Sequence, residues 1–356
     1  MSGGRWRGEG IGCLGRELSR ALIILAPTFG QCSRSVIVYS PRRMNLLCCE
    51  SSVSSCECRA YPDPILLNDE RVLKHLLRTE ERYVASSSYF QRFQTDLTPH
   101  MRKIVAEWML ELCEEQKCQE EVFLLAINYL DRFLNVCPIR KTQLQLLGTA
   151  CLLVSSKMRE PQPLSAETLV QYTGNSIELE DLRRWEMLVL SKLKWDVAAT
   201  TPRDFLPHIL RRLPLDRVPS LDPHKVHVHA QTFITLCFRD HKFSMYTASM
   251  IAGASVAAAL HGLKWTSYAE CSLTELLEML QRILSIETDI LHSCLDQIEE
   301  MIVSEMREAN AAQPASSAAG QAAASSAAQS KPDPPSDKKI EHSQAGTPTD
   351  VRDVHF

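Results

Sequence analysis

The sequence predicts an all-α protein made of two tandem five-helix bundles, with an N-terminal helix and disordered tails. From Leu73 to Met306 the apolar residues recur at intervals of three and four, which is the period of a helix face, and Pro and capping residues interrupt them repeatedly. Two segments are apolar almost all round, as is typical of a helix at the centre of a bundle. The length of 356 residues fits about two domains, and 45% hydrophobic content can fill a core in each.

The first bundle is predicted to span residues 69–198. Its third helix (TQLQLLGTACLLVSSKM) is one of the two apolar segments and should form the core. Prolines and Ser/Thr residues mark the ends of the helices. The five predicted helices are one that opens at Pro99, residues 122–136, residues 142–158, a short one that starts at Ser165, and residues 179–193.

The second bundle is predicted to span residues 199–308, and its third helix (ASMIAGASVAAALHGL) is again apolar all round. No residue-by-residue repeat links the two bundles. Helix lengths and the position of the apolar helix are therefore only weak indications of a duplicated unit. The predicted helices cover residues 201–212, 226–238, 248–263, 273–280 and 286–303.

The two ends of the chain differ in composition from this middle part. Residues 1–43 hold seven arginines, no lysine and two glutamates, which suits an organellar transit peptide. The Gly-rich start and a second methionine, Met44, equally suit an upstream extension of a shorter protein. Residues 309–356 are mostly Ala, Ser, Gln and Pro and cannot offset the entropy of ordering. Both segments are predicted to be disordered.

Composition also limits the classes of function. A net charge of −4 provides no overall basic field, so direct nucleic-acid binding is disfavoured. No run of 18 apolar residues occurs, so no membrane-spanning helix is expected. The 13 cysteines are an odd number in a long chain and lack small-domain spacing, so reduced intracellular thiols are expected.

No motif in the sequence has the spacing and context that catalysis, cofactor binding or metal binding requires. Three glycines match GxGxxG, but no strand precedes them and no acidic residue follows at the required distance. Two clusters, one of cysteines and one of histidines, lack the paired spacing of a zinc site. No GxSxG, HExxH or phosphate loop is present. The glycines are Gly10, Gly12 and Gly15. The cysteines are Cys48, Cys49, Cys56 and Cys58, and the histidines are His224, His227 and His229.

The positions of four charged residues on the predicted helices indicate how each is used. Arg102 and Asp131 interrupt the apolar pattern of central helices, and because a buried charge must be paired, we expect a salt bridge between helices. Lys157 ends the buried third helix, where a cation complements the helix dipole. Glu186 lies beside Trp185 on the fifth helix. Taken alone, Lys157 and Glu186 are ordinary surface residues.

Four segments in order resemble the cyclin box, and with the segment ahead of them (PDPILLNDERVLKHLLRTEERYV, residues 62–84) the chain from Met44 onward is similar to the D-type cyclins. The resemblance implies two five-helix cyclin boxes and a subunit without catalytic activity. Such a subunit binds and activates a G1 cyclin-dependent kinase, directs it to retinoblastoma-type substrates, promotes the G1/S transition, and is found in nucleus and cytoplasm. The four segments are MRKIVAEWMLELCEE (101–115), AINYLDRFL (126–134), LQLLGTACLLVSSKMRE (144–160) and LRRWEMLVLSKLKWD (182–196).

The resemblance also assigns roles to residues within the matched motifs. Arg102 and Asp131 correspond to the arginine-aspartate pair of the box, and Lys157 and Glu186 to the residues that hold the kinase. A further set corresponds to a surface patch that docks short basic-apolar motifs of substrates and kinase-inhibitor proteins, although core packing is the alternative role for this helix. The patch residues are Met101, Ile104, Val105, Trp108, Glu111 and Gln145.

Two motifs lie near the ends of the chain. Leu46, Cys48 and Glu50 form the LxCxE sequence with which D-type cyclins engage retinoblastoma-type pocket proteins, which makes residues 44–68 a pocket-protein-binding segment. In that family the motif sits at the very start, so residues 1–43 are a departure. Thr347 begins TPTDVRDV, which resembles the family's phosphodegron for a ubiquitin-ligase receptor.

Two other classes of function compete with this interpretation. A cyclin-box transcription scaffold would carry a zinc ribbon and basic helices, whereas residues 44–356 are net acidic and lack zinc spacing. An enzyme would need a catalytic constellation, and none is visible. No cofactor is predicted.

Overall fold

The computed structural model describes residues 63–85 and 88–312, with side chains described as far as Arg307. This part of the chain contains 14 α-helices and no strand, which confirms the all-α class and the tandem bundles. The helices are α1 (Pro64–Asn68), α2 (Glu70–Glu80), α3 (Tyr89–Arg92), α4 (Pro99–Glu115), α5 (Glu120–Leu134), α6 (Leu144–Arg159), α7 (Ala166–Tyr172), α8 (Leu179–Lys192), α9 (Pro202–Arg212), α10 (Pro223–Arg239), α11 (Ala248–Gly262), α12 (Trp265–Tyr268), α13 (Leu273–Leu284) and α14 (Thr288–Ala312).

Helix α6 is the centre of the first bundle, which consists of α4 to α8. It contacts each of the other four helices, and most of its residues are buried all round, as its uniform apolarity predicts. Gly148 allows α4 to approach closely. A Cβ at this position would lie 3.0 Å from Val105 Cγ1 and 3.1 Å from Met109 Sδ. The missing side chain therefore sets the distance between α4 and α6.

Helix α11 has the same central position in the second bundle, which consists of α9 to α14. At Gly253 a Cβ would lie 2.8 Å from Leu284 Cδ1, so this glycine lets α13 pack against α11. All five predicted helices are present. The short α12 is additional, and it places Trp265 completely inside the core. A helix of four residues is too short to show a periodic pattern, which is why the sequence did not indicate it.

The predicted N-terminal helix is two helices, because Asp69 ends α1 and caps α2 by accepting a hydrogen bond from Arg71 N at 2.8 Å. Helix α2 is attached to the second bundle at its end. There the buried Glu80 carboxylate accepts from the backbone N of Ser249 at 2.7 Å and from its hydroxyl at 2.6 Å, in the first turn of α11. An anion at a helix N-terminus is favoured by the exposed amides and the dipole. Burial raises the pKa of Glu80.

The C-terminal helix α14 continues to Ala312, four residues into the segment predicted to be a disordered tail. Alanine has the highest intrinsic helix propensity, so the Ala-rich start of the tail can prolong an established helix. Residues 1–43, the LxCxE motif and Thr347 lie outside the described residues. The segment 44–68 is described only from residue 63 onward.

A buried ion pair within the first bundle also makes hydrogen bonds to the second. Arg102 on α4 is 2% exposed and binds Asp131 on α5 through two hydrogen bonds, Nε to Oδ1 at 2.8 Å and Nη2 to Oδ2 at 2.7 Å. Its Nη1 donates to the backbone oxygens of Phe238 and Arg239 at the end of α10, each at 3.0 Å. The Tyr89 hydroxyl donates to Asp131 Oδ1 at 2.9 Å. The guanidinium therefore ties the first bundle to the second.

Replacing this arginine should strongly destabilise the protein. Arg102→Ala leaves the Asp131 carboxylate buried without its cation, and we expect the free energy of unfolding to fall by about 3–5 kcal/mol. Urea denaturation of the two proteins measures the loss. Arg183→Ala, which removes an exposed ion pair with Glu180, is the matched control and should stay within about 0.5 kcal/mol. Equal midpoints for Arg102→Ala and the unmodified chain would contradict the assigned role.

A contact between helices α11 and α14 of the second bundle depends on pH. His261 near the end of α11 lies with Nδ1 3.0 Å from Glu299 Oε1 on α14, and this hydrogen bond raises the pKa of His261. A raised folded-state pKa stabilises the protein fully below the unfolded value of about 6.5, and the gain is lost as pH rises through the folded value.

We therefore expect His261→Gln to be most destabilising near pH 6 and progressively less so toward alkaline pH. The unfolding free energies of both proteins across this range measure the difference, which cancels the contributions of the other histidines. A difference that does not change with pH would show that the ion pair adds nothing.

Candidate functional site

Lys157 and Glu186, which the cyclin resemblance assigns to kinase binding, are in direct contact. Lys157 lies in the last turn of α6 and Glu186 near the middle of α8, and Nζ is 2.5 Å from Oε1. The Lys157 side chain is 48% exposed, whereas that of Glu186 is only 16% exposed. The partly sheltered carboxylate thus holds the more exposed ammonium group in one position on the surface.

The end of α6 explains why a lysine of a buried helix reaches solvent. The backbone N of Glu160 donates to the Ser156 oxygen at 2.8 Å, and Pro161 follows, so the helix ends there. Upstream of Lys157 the helix is enclosed by the other four helices of the bundle. Residues 147–156 are all buried, and exposed residues begin in the last turn, where a cation complements the helix dipole.

Two exposed methionines, which no sequence motif indicated, follow the two charged residues directly in sequence. Met158 is 45% exposed and Met187 is 55% exposed. Methionine is flexible and polarizable and is common at protein-binding surfaces. The available signal was their position next to Lys157 and Glu186. Both methionines thus expose apolar surface on the same two helices that carry the ion pair.

The predicted docking patch lies on α4 and at the start of α6. Its four apolar members are all part-exposed, so they are neither core residues nor free side chains; Glu111 is exposed and Gln145 is half-buried. Residues 145 and 148 share a face of α6, and Val105 Cγ1 is the atom nearest to a Cβ placed at Gly148. The half-buried apolar members are Met101, Ile104, Val105 and Trp108.

The described residues contain neither a metal site nor a membrane-spanning helix. No group of three or more His, Cys, Asp or Glu side chains in residues 63–85 and 88–312 could hold a metal ion. This includes the histidine cluster on α10, where burial lowers the pKa of His227 and of His229. No helix of the described chain is long and apolar enough to span a membrane.

Comparisons with known proteins agree with this architecture. Residues 71–198 match the cyclin N-terminal domain and residues 200–330 the cyclin C-terminal domain. The chain is 49% identical to chicken (Gallus gallus) G1/S-specific cyclin-D2 and 49% identical to human (Homo sapiens) G1/S-specific cyclin-D3, in both cases over 88% of this chain and 100% of the relative. A viral cyclin from herpesvirus saimiri, solved by X-ray crystallography, has the same fold with a TM-score of 0.57 at 24% identity, over 65% of this chain and 97% of that one.

The chain therefore belongs to the cyclin family, the regulatory subunits of cyclin-dependent kinases, which are not themselves enzymes. Within that family its similarity is to the G1/S-specific D-type cyclins.

Proposed function

We propose that this chain binds and activates a G1 cyclin-dependent kinase and directs it to retinoblastoma-type substrates, which promotes passage from G1 to S. The observation that carries the proposal is the ion pair between Lys157 and Glu186, formed on the surface in the unbound chain by the two residues that the cyclin resemblance assigns to the kinase.

The pair can recognise the backbone of a kinase helix. Lys157 keeps two further N–H donors for carbonyl oxygens, and Glu186 keeps a second carboxylate oxygen for backbone amides. Because each group already holds the other in place, less side-chain entropy is lost when the kinase binds. The exposed Met158 and Met187 are on the same two helices and offer apolar side chains to a protein partner.

Holding the regulatory helix of the kinase inward has a chemical consequence. The lysine-glutamate ion pair inside the kinase can then form beside ATP, which kinase activation requires. The cyclin needs no catalytic group for this step. It acts by binding the active conformer of the kinase better than the inactive one, which shifts the population toward activity.

Charge variants at this pair test the kinase-binding role. Lys157→Glu puts a carboxylate in front of the kinase carbonyls, so we expect affinity for a G1 cyclin-dependent kinase to fall at least about 30-fold. The charge swap Lys157→Glu with Glu186→Lys restores the ion pair inside the cyclin but reverses its polarity toward the kinase, and should lose binding as well. Co-purification with the kinase and phosphorylation of a retinoblastoma C-terminal fragment measure both effects.

Arg282→Glu, an exposed charge reversal on α13 of the second bundle, is the control and should bind normally. Recovery of kinase binding in the swapped variant would show that the pair acts only within the cyclin. Normal kinase binding by Lys157→Glu would show that the pair of Lys157 and Glu186 is not the kinase-binding site.

Substrate recruitment is proposed to use two further surfaces. The half-buried apolar side chains of the α4 patch, with the exposed Glu111 beside them, suit a short motif that combines basic and apolar residues in substrates and in kinase-inhibitor proteins. The LxCxE segment is proposed to bind the pocket protein itself. Leu46 and Cys48 would enter apolar holes while Glu50 meets a cation or backbone amides.

The LxCxE role can be separated from kinase activation. Glu50→Lys should abolish binding to a retinoblastoma-type pocket protein, because it places a cation where the partner offers positive charge or amide donors. Cys49→Ser changes an unspecified position of the same motif and should bind normally. Pull-down with the pocket protein and co-purification with the kinase, both on the full chain, compare the variants. Pocket-protein binding that survives Glu50→Lys would refute the assignment.

We also propose a role for the C-terminal tail and a cellular location for the chain. Phosphorylation of Thr347 would add negative charge and acceptor oxygens for an arginine-bearing ubiquitin-ligase receptor, which would lead to turnover. The chain is proposed to act in the nucleus and to be found in the cytoplasm as well. Both statements follow from the similarity to D-type cyclins.

A further inference from the structure

The end of α4 forms a turn that brings two cysteines together. The backbone N of Cys118 donates to the Cys113 oxygen at 2.8 Å, the N of Lys117 donates to the Glu114 oxygen at 3.1 Å, and Lys117 has the left-handed φ of 54°. This is the Schellman arrangement, in which the two terminal side chains contact each other, commonly as an apolar pair. In this chain both positions hold a cysteine.

Contacts on both sides hold this turn in place. Gln116 Nε2 donates to the Tyr172 hydroxyl on α7 at 2.6 Å, and the backbone N of Gln119 donates to Glu160 Oε1 at the end of α6 at 2.5 Å. The turn is therefore attached on either side of Cys118. The backbone that carries the two cysteines is therefore held in place on both sides.

The two thiols have different environments. Cys113 is 5% exposed within the core, whereas Cys118 is half-buried and reaches the surface. The neighbouring Cys113 thiol lowers the pKa of Cys118, while the same contact together with burial raises the pKa of Cys113. One cysteine is thus accessible with more thiolate character, and the other is sheltered directly behind it.

We propose that Cys118 and Cys113 are a peroxide-sensitive dithiol, in which Cys118 reacts with hydrogen peroxide and Cys113 then closes a reversible disulfide. An accessible thiolate beside a second cysteine is the arrangement typical of redox-sensor sites. In an intracellular chain, disulfides that form are transient and sense the redox state.

The chemistry balances with hydrogen peroxide as the oxidant. The Cys118 thiolate attacks one peroxide oxygen; an S–O bond forms, the O–O bond breaks, and hydroxide leaves. The Cys113 sulfur then attacks the sulfur of the Cys118 sulfenic acid; the S–S bond forms, the S–O bond breaks, and the second hydroxide leaves with the Cys113 proton as water. The two thiols together lose two electrons, and peroxide is reduced to two water molecules. A thiol reductant reverses the reaction.

Trypsin provides a direct test, because Lys117 lies between the two cysteines. Cleavage after Lys103, Lys117 and Arg132 yields peptides 104–117 and 118–132, each with one cysteine. After brief treatment of the full-length chain with hydrogen peroxide and alkylation of the remaining thiols, mass spectrometry should find these two peptides joined. Dithiothreitol should separate them. Cys48, Cys49, Cys56 and Cys58 share one tryptic peptide, residues 44–59, and each of the other cysteines of the chain lies in a peptide of its own.

Matched variants distinguish the two roles. Cys118→Ser should lose the crosslink, and its Cys113 should remain a thiol because it is buried. Cys113→Ser should leave a sulfenic acid at Cys118 that dimedone traps. Cys137→Ser, which removes another half-buried thiol, should keep the crosslink at the unmodified level.

Peptides 104–117 and 118–132 that stay unjoined while other cysteines oxidise would overturn the proposal and leave the pair as an apolar contact of the turn. A crosslink of Cys118 to a cysteine other than Cys113 would overturn it as well. The test does not depend on kinase binding, so its outcome is independent of the proposed function.

Discussion

The buried guanidinium of Arg102 makes hydrogen bonds in both bundles. It uses Nε and Nη2 for Asp131 in its own bundle and Nη1 for two carbonyls at the end of α10 in the other. A buried ion pair has a large desolvation cost, and it is tolerated only when its hydrogen bonds are satisfied. Here those hydrogen bonds reach helices of both bundles. The same contacts that satisfy the charge therefore also set how the two bundles meet.

The surface proposed for the kinase follows from the burial of α6. A helix that four neighbours enclose can present a side chain to a partner only near its two ends, and Lys157 lies in its last turn. Glu186 on α8 is close enough to pair with it because α8 packs along α6. Rigid helices thus hold both groups, which gives a fixed arrangement of charges in a way that a loop would not.

Helix α4 combines three roles along its length. Arg102 and Met109 face the interior, the part-exposed Met101 and Trp108 form an outer face, and Cys113 joins its end to the turn that follows. This explains why its apolar residues surround the helix and do not form one stripe. The sequence pattern alone left core packing and a docking patch as alternatives for this helix. The structure shows that its outer apolar residues pack against the core and remain partly accessible.

The helices themselves could be predicted from the sequence, because the signals that define them are local. Period, Pro at the first turn and Ser or Thr caps act within a few residues, as Thr98 and Pro99 do for α4 and as Ser272 and Glu275 do in the capping box of α13. The signals fail for short elements. The division of the N-terminal helix at Asp69 and the four-residue α12 are too brief for a period to show.

The contacts of the charged residues could be predicted from the sequence only in part. Their unusual positions in apolar helices indicated that Arg102 and Asp131 are paired, since burial demands it. Nothing local could indicate that Arg102 also binds carbonyls more than a hundred residues away, that Glu80 caps α11, or that Lys157 and Glu186 meet. The helices and the family could be inferred without the folded structure, because helix periodicity, capping and motif order depend on neighbouring residues. Which distant side chains meet is visible only in the folded protein, because it depends on how completed helices pack against one another.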